Sequence, residues 1–430
     1  MKNNSQSFAS LRYREFRSYF GLRFFFTFAY MMQTTILGFY VYQLTHNKIH
    51  LALLGVSELI PVLLLGLYGG YITDRSEKRR LLLVVYGSYL LSTLFLFFVT
   101  YNRLGLSTSA ILVCIYTTLL VNGIARAFYE PAAQAVFAGS VSREQYANAS
   151  TWNNISWQAA FIIGPGAGGF IYAIAKEQGI SATLAIVLLL LLVALFFVTR
   201  LRKYPATLTK GESVKNSIAA GIRFVFKQPV MKYAMCLDLF CVLFGGVTAL
   251  LPVYAIDILK TGAEGLGMMR MAQSIGAALT MLALVRFPAT NKPWRNLLIA
   301  VAGFGICVIG FGMSRVFVYS LLFLFLQGAF DSVSVMIRGT LMQLFTPDDM
   351  QGRVAALHGM FIGSSIELGN FESGIAAKLL GTIPAVLVGG SLTVLIVVFT
   401  FFRTKDLLRL SVTAMKTGHP LPEQECVIEQ

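Results

Sequence analysis

Ten ionisable side chains lie inside apolar runs long enough to cross a bilayer: Arg23, Glu58, Arg126, Glu130, Asp238, Arg270, Asp331, Arg338, Glu367 and Glu372. On insertion scales each costs at least ~2.5–3.5 kcal/mol at mid-membrane. Ion pairing, contact with a water-filled cavity, or carriage of a proton can offset that cost. Arg23 and Asp238, Arg126 and Asp331, and Glu58 and Arg270 occupy near-equivalent places in the two halves of the chain with opposite sign. That arrangement predicts charge pairs across the interface between halves. Glu130 and Arg338 sit nearer the ends of their runs, where snorkelling or pairing with loop charges is expected. Four acids are candidates for proton coupling: Glu372, Glu367, Asp238 and Asp331. Arg23 and Arg126 are expected to keep the two aspartates ionised, which places Glu372 first and Glu367 second.

Other chemistries are excluded by pattern. The chain contains no GxxxxGK[ST] and no HExxH, its five cysteines form no CxxC pair, and its four histidines are scattered. P-loop ATP hydrolysis, a zincin site and structural zinc are therefore ruled out, and no catalytic residue, cofactor or metal is expected.

The elements that position these charges follow from composition. Of 430 residues, 56% are hydrophobic and only 13% charged, about half the ~25% charge of a soluble domain. An all-α polytopic membrane protein satisfies this composition. At about 20 apolar residues per span, the runs predict twelve helices, at 17–43, 50–72, 81–100, 108–131, 150–173, 182–199, 231–257, 265–286, 296–314, 317–343, 354–379 and 383–402. Helices 3, 6, 9 and 12 contain no charge and are fit to face lipid. Helices 1, 4, 7 and 10 are expected to line a central cavity, flanked by 2, 5, 8 and 11.

Net charge is +15, but the basic residues cluster between apolar runs, which points to a membrane surface rather than nucleic acid. With the N-terminus inside, 25 Lys and Arg fall on the cytoplasmic side and six on the other. Both termini are thus expected in the cytoplasm. The predicted organisation is a six-helix half over 1–200, a cytoplasmic linker over 201–230, a second half over 231–403 and a tail over 404–430. Val214, Ile218, Ile222 and Val225 give the linker an amphipathic helical pattern. An offset of 205 residues relates the halves: Gly123 and Arg126 fall on Gly328 and Asp331, and Gly164 and Gly169 on Gly369 and Gly374.

Two motifs are specific. Between helices 2 and 3 stand Gly70, Asp74, Arg75, Lys78 and Arg79, in which the glycine is expected to let two helices approach and the carboxylate to accept from a helix N-terminus. In helix 5, Gly164-Pro165-Gly166-Ala167-Gly168-Gly169 combines a kink with small residues for close packing. The first resembles motif A of the major facilitator superfamily, departing at Glu77. The second resembles the GPxxGG core of its antiporter motif, with Ala160 in place of the preceding glycine. Leu237-Asp238, Gly245-Gly246, Gly265 to Arg270, Gly352-Arg353-Val354 and Glu367 to Gly374 resemble the enterobactin-exporter-like branch of bacterial efflux proteins.

The resemblance implies the major-facilitator fold in a bacterial inner membrane. It also implies a monomeric, proton-coupled exporter of a siderophore- or drug-like molecule, with substrate, protons and lipid as its partners. A lipid or lysophospholipid translocator and an uncoupled facilitator are the alternatives on the same fold.

Overall fold

The computed structural model describes residues 9–101, 105–205, 222–287, 292–346 and 351–409, apart from a few side chains within helices, Asp74 and 355–364 among them. Val214, Ile218 and the tail beyond 409 lie outside the described residues. The described chain is helical throughout. The long helices are α1 (Arg14–Thr45), α2 (Lys48–Arg75), α3 (Lys78–Tyr101), α4 (Thr108–Ser140), α5 (Tyr146–Ile174), α6 (Gly179–Arg200), α7 (Pro229–Gly245), α8 (Gly262–Arg286), α9 (Pro293–Met313), α10 (Phe317–Phe345), α11 (Gln351–Leu380) and α12 (Thr382–Arg403). Each coincides with one expected span, except that α7 breaks at Gly245-Gly246 and continues as short turns ending in a π-helix over Tyr254–Ile258.

Local chemistry sets the ends. His46 adopts a left-handed conformation (φ 47°) that closes α1, and the Asn47 side chain accepts from Ile49 N–H at 3.1 Å to open α2. Ser107 caps α4 in the same way, and Gly381 (φ 93°) turns α11 into α12.

Among the described residues, ten helices are long and apolar enough to cross a membrane by length and composition. The other two long helices, α8 and α11, are 25 and 30 residues long and carry Arg270, Gln273, Glu367, Asn370 and Glu372 at mid-helix. Such helices need protein or water beside them. The helices without mid-span charge do the opposite: Leu91 and Phe98 on α3, Leu192 and Phe196 on α6, Ile299 and Ile306 on α9, and Leu395 and Phe399 on α12 are exposed apolar side chains, a surface suited to lipid.

The chain forms two compact units. The first comprises residues 1–214, 248–271 and 370–379, and the second 215–247, 272–369 and 380–430. In the first, Phe16, Tyr19, Leu22 and Phe26 of α1 pack with Tyr86 and Tyr89 of α3, Tyr129 and Val136 of α4 and Leu191 of α6. In the second, Leu237, Trp294, Leu297, Leu341 and Val397 form the corresponding core. There the buried Trp294 indole donates to Thr404 Oγ1 at 2.8 Å, tying the start of α9 to the end of α12. Gly123 lays α4 on the Glu58 carbonyl of α2, and Gly328 lays α10 on the Gln273 carbonyl of α8, so the repeat is realised in packing.

One expectation is corrected here. Among the described residues, a Cβ at Gly70 would meet nothing within 4 Å, whereas one at Gly69 would strike the Ala127 carbonyl of α4. The residue one step earlier makes the close approach, because adjacent helix positions point about 100° apart and only one faces the neighbour.

Candidate functional site

Arg126 of α4 stands some 18 residues into a 33-residue helix, about 20 Å or more from either end at 1.5 Å per residue. Its Nη1 donates to Glu58 Oε1 of α2 at 3.0 Å and lies 3.0 Å from the Tyr30 hydroxyl of α1. Tyr30 in turn donates to Glu58 at 3.0 and 3.1 Å. The Glu58 side chain is 7% exposed and that of Arg126 34%. The Tyr30 ring lies 5.5 Å from the guanidinium. Nearby on α1, Thr35 accepts from Arg270 Nη1 of α8 at 3.0 Å.

Two further ion pairs lie inside single halves. Arg23 lies 3.8 Å from Glu130, and Asp238 lies 2.7 Å from Arg338, with both side chains of the second pair nearly inaccessible. Arg338 also donates to Ser334 at 2.8 Å, and Asp331 lies within electrostatic reach of Arg338 and Asp238. Where the pairs Arg23–Asp238, Arg126–Asp331 and Glu58–Arg270 are expected, the ion pairs seen among the described residues are Arg23–Glu130, Arg126–Glu58 and Asp238–Arg338.

The reason is geometric. Arg23 and Asp238 each stand nine residues into the first helix of a repeat, and Glu130 and Arg338 lie in the last third of the fourth. Opposite signs at equivalent positions are satisfied equally by two intra-half pairs of reversed polarity. A short reach inside one packed unit leaves less charge desolvated and unpaired. Glu367 and Glu372 are half-buried on α11.

The helix-5 glycines carry two contacts. Gly164 and Gly168 set α5 against α1, where added Cβ atoms would meet Met31 at 2.6 Å and Met32 at 3.3 Å. On another face, a Cβ added at Gly169 would strike the Ala263 carbonyl, and one at Gly267 of α8 would meet the Pro165 carbonyl at 2.9 Å. On α11 their repeats behave alike: a Cβ added at Gly369 would meet the Val242 carbonyl of α7 at 2.7 Å, and one at Gly374 would meet Ala52 of α2 at 2.6 Å.

At the same end of the first unit, Tyr42 donates to Asp257, Lys48 Nζ donates to the Ala377 carbonyl at 3.1 Å and Tyr172 donates to Gln43 at 2.7 Å. Asp257 was not singled out from the sequence. Its signal was an acid closing the apolar run of α7, beside Lys260.

At the other end, the motif between α2 and α3 grips the segment after α6. The Lys78 backbone N–H donates to Tyr204 O at 3.1 Å and Lys78 Nζ to Pro205 O at 3.0 Å, while Arg79 donates to Thr199 O at 2.8 Å. Glu15 accepts from the Arg202 N–H at 3.0 Å. Arg75 lies over the Tyr71 ring at 4.1 Å. The Asp74 side chain lies outside the described residues.

Intra-half ion pairs, glycine-lined helix crossings and lipid-fit outer helices describe a multi-pass membrane protein built from a duplicated six-helix unit. Residues 5–429 match the transmembrane secretion effector family, and the chain belongs to that family of the major facilitator superfamily, whose members are transporters and not enzymes.

It is 24% identical over 322 residues to the enterobactin exporters of Citrobacter koseri and Escherichia coli O1:K1, covering 74% of this chain and 73% of theirs. Solved structures share the fold. The nucleoside transporter NupG superposes with a TM-score of 0.68 at 14% identity, over 92% of this chain and all of that one. A D-xylose–proton symporter superposes at 0.69 with 15% identity, over 90% and 96%.

Proposed function

We propose that this protein is a proton-coupled secondary exporter of a small organic molecule, siderophore- or drug-like, working by alternating access in the bacterial cytoplasmic membrane with both termini inside. The seam in the first unit is the observation that carries the reading. There residues 248–271 and 370–379, which belong to the second sequence repeat, meet α1, α2 and α5 through glycine crossings and a few polar contacts, Tyr42–Asp257 and Lys48–Ala377 among them. A seam of backbone contacts and single hydrogen bonds, each worth about 0.5–1.5 kcal/mol net, can part and re-form without breaking a hydrophobic core. Membership in the secretion effector family and similarity to enterobactin exporters support outward transport of a small metabolite.

The coupling acid is proposed from Glu372, Glu367, Asp331 and Asp238. Glu372 remains first on sequence grounds. Asp331 joins it, since two aspartates around Arg338 leave one negative charge that a proton can neutralise. Gly70, Asp74, Arg75, Lys78 and Arg79 are proposed as a gating motif that supports closure at the cytoplasmic face, with Lys78 and Arg79 also anchoring the segment after α6.

Proteoliposomes with an imposed pH gradient, assayed with enterobactin, cationic dyes and lysophospholipid, test this reading. Uphill accumulation of a small organic solute, abolished by an uncoupler, is expected. Movement of lysophospholipid alone, or equilibration without accumulation, would replace the reading by lipid translocation or facilitated diffusion respectively.

A further inference from the structure

At one end of the first unit, Tyr13, Arg14, Glu15, Gly139, Ser142 and Arg202 are among the residues lining a cavity of about 320 Å³. It lies at the end opposite the Tyr42–Asp257 contact, about 40 Å away along α1 at 1.5 Å per residue. Its walls are fixed by bonds of their own. The Ser10 N–H and hydroxyl donate to Asn148 Oδ1 of α5 at 3.1 and 2.6 Å, which pins the turn ahead of α1. Arg202 Nη2 donates to the Gly139 carbonyl of α4 at 2.6 Å, and its guanidinium lies 5.0 Å from the Tyr204 ring. The acid in the lining, Glu15, is turned toward the segment after α6: it accepts from the Arg202 backbone N–H at 3.0 Å and from the Tyr204 hydroxyl at 3.4 Å. The Tyr13 and Ser142 hydroxyls stand 3.4 Å apart. Tyr13, Arg14, Ser142 and Arg202 are all exposed, so the cavity is open to the medium.

We infer that this cavity binds a phosphate group, supplied by the headgroup of an anionic phospholipid. Two guanidiniums share one space with a single carboxylate that is already engaged, and two hydroxyls add donors, a set that suits the acceptor oxygens of a phosphodiester. The volume is at the lower end of the ~300–1,000 Å³ of small-molecule pockets, room for a headgroup rather than a drug. Arg14 opens α1 and Arg202 follows the end of α6, which puts both at headgroup depth, with Tyr13 as an aromatic at the same level. Arg12, Arg17 and Lys203, close to the lining residues along the chain, are exposed and strengthen the attraction to an anionic leaflet. A bound headgroup ties the start of α1, the end of α4 and the segment after α6 together, whatever the cargo is.

The test uses full-length protein in nanodiscs of phosphatidylcholine, alone or with a third of the lipid replaced by phosphatidylglycerol. Wild type is expected to unfold about 3 °C or more higher with phosphatidylglycerol present. Arg14→Gln and, independently, Ser142→Asp, which sets a carboxylate in the cavity, should each remove most of that gain. Each should also retain one phosphatidylglycerol molecule fewer than wild type in native mass spectrometry. Both positions are exposed, so neither change opens the core. Arg80→Gln, which removes the same charge from a side chain 80% exposed outside the cavity, should keep the gain.

Inorganic phosphate added to phosphatidylcholine nanodiscs is the second arm, and no gain is expected from it. An equal gain there, lost in the same variants, would make the ligand free phosphate and overturn the lipid assignment. No gain with phosphatidylglycerol, a gain unchanged in both cavity variants, or an equal loss in Arg80→Gln overturns the site itself. Nanodiscs present the lipid on both faces, so none of these outcomes depends on the orientation or the direction of transport proposed above.

Discussion

Gly169 and Gly374 lie 205 residues apart and play matching parts, since each brings the fifth helix of its repeat against the start of a helix from the other repeat, α8 at Ala263 and α2 at Ala52. The internal repeat is thus expressed as two matched crossings. A side chain at either position has nowhere to go, because the facing atoms at Gly169 are backbone and those at Gly374 include the Lys48 carbonyl. Gly169→Val and Gly374→Val are each expected to force this seam apart, lowering transport at least about tenfold while the protein still inserts. Cysteine probes at Tyr42 and Asp257 should become more reactive in both variants; unchanged reactivity would show that the seam tolerates the added atoms.

The Tyr42–Asp257 hydrogen bond should bias the same seam. Tyr42→Phe and Asp257→Asn are each expected to weaken closure by about 1 kcal/mol, roughly fivefold in the closed population. In a double-mutant cycle read by distance measurements between spin labels, the two effects should not add. Additive effects would mean that the residues act separately.

Asp238 and Arg338 make an ion pair of 2.7 Å with almost no solvent access. Removing one partner leaves a buried charge, so Asp238→Asn should destabilise the protein by about 3–5 kcal/mol. The related pair in the first half, Arg23–Glu130, has the reverse polarity. The doubly exchanged variant Asp238→Arg with Arg338→Asp is therefore expected to regain most of the lost thermal midpoint. A double exchange no more stable than the single variants would show that Ser334 and Asp331 demand one polarity.

Proton coupling is tested by neutral variants. Glu372→Gln or Asp331→Asn is expected to abolish uphill transport and substrate-induced proton release while counterflow exchange survives. Proton release undiminished in Glu372→Gln, Glu367→Gln and Asp331→Asn would move the coupling site to Asp238.

Orientation is open to labelling. A membrane-impermeant thiol reagent applied outside should reach cysteines at Lys176 and Lys260 but not at Arg80. The Arg80 side chain is 80% exposed, so a cysteine there is open to reagent from its own side of the membrane. The opposite pattern would invert the topology.

The sequence by itself determined the helices, the lipid-fit outer set and the repeat, because span length, charge placement and the 205-residue spacing are properties of the chain read along its axis. The glycines at 164, 169, 369 and 374 were legible for the same reason: a small residue at a repeated position marks a crossing whichever helix crosses it. Tertiary structure decided the partners. Whether Arg23 meets Asp238 or Glu130 depends on which helices adjoin and how each is rotated, and opposite signs at equivalent positions satisfy both arrangements. Whether Gly69 or Gly70 touches α4 turns on about 100° of helix rotation. Asp257 gained its meaning only when the π-helix after α7 met Tyr42 of α1, a contact between residues 215 positions apart.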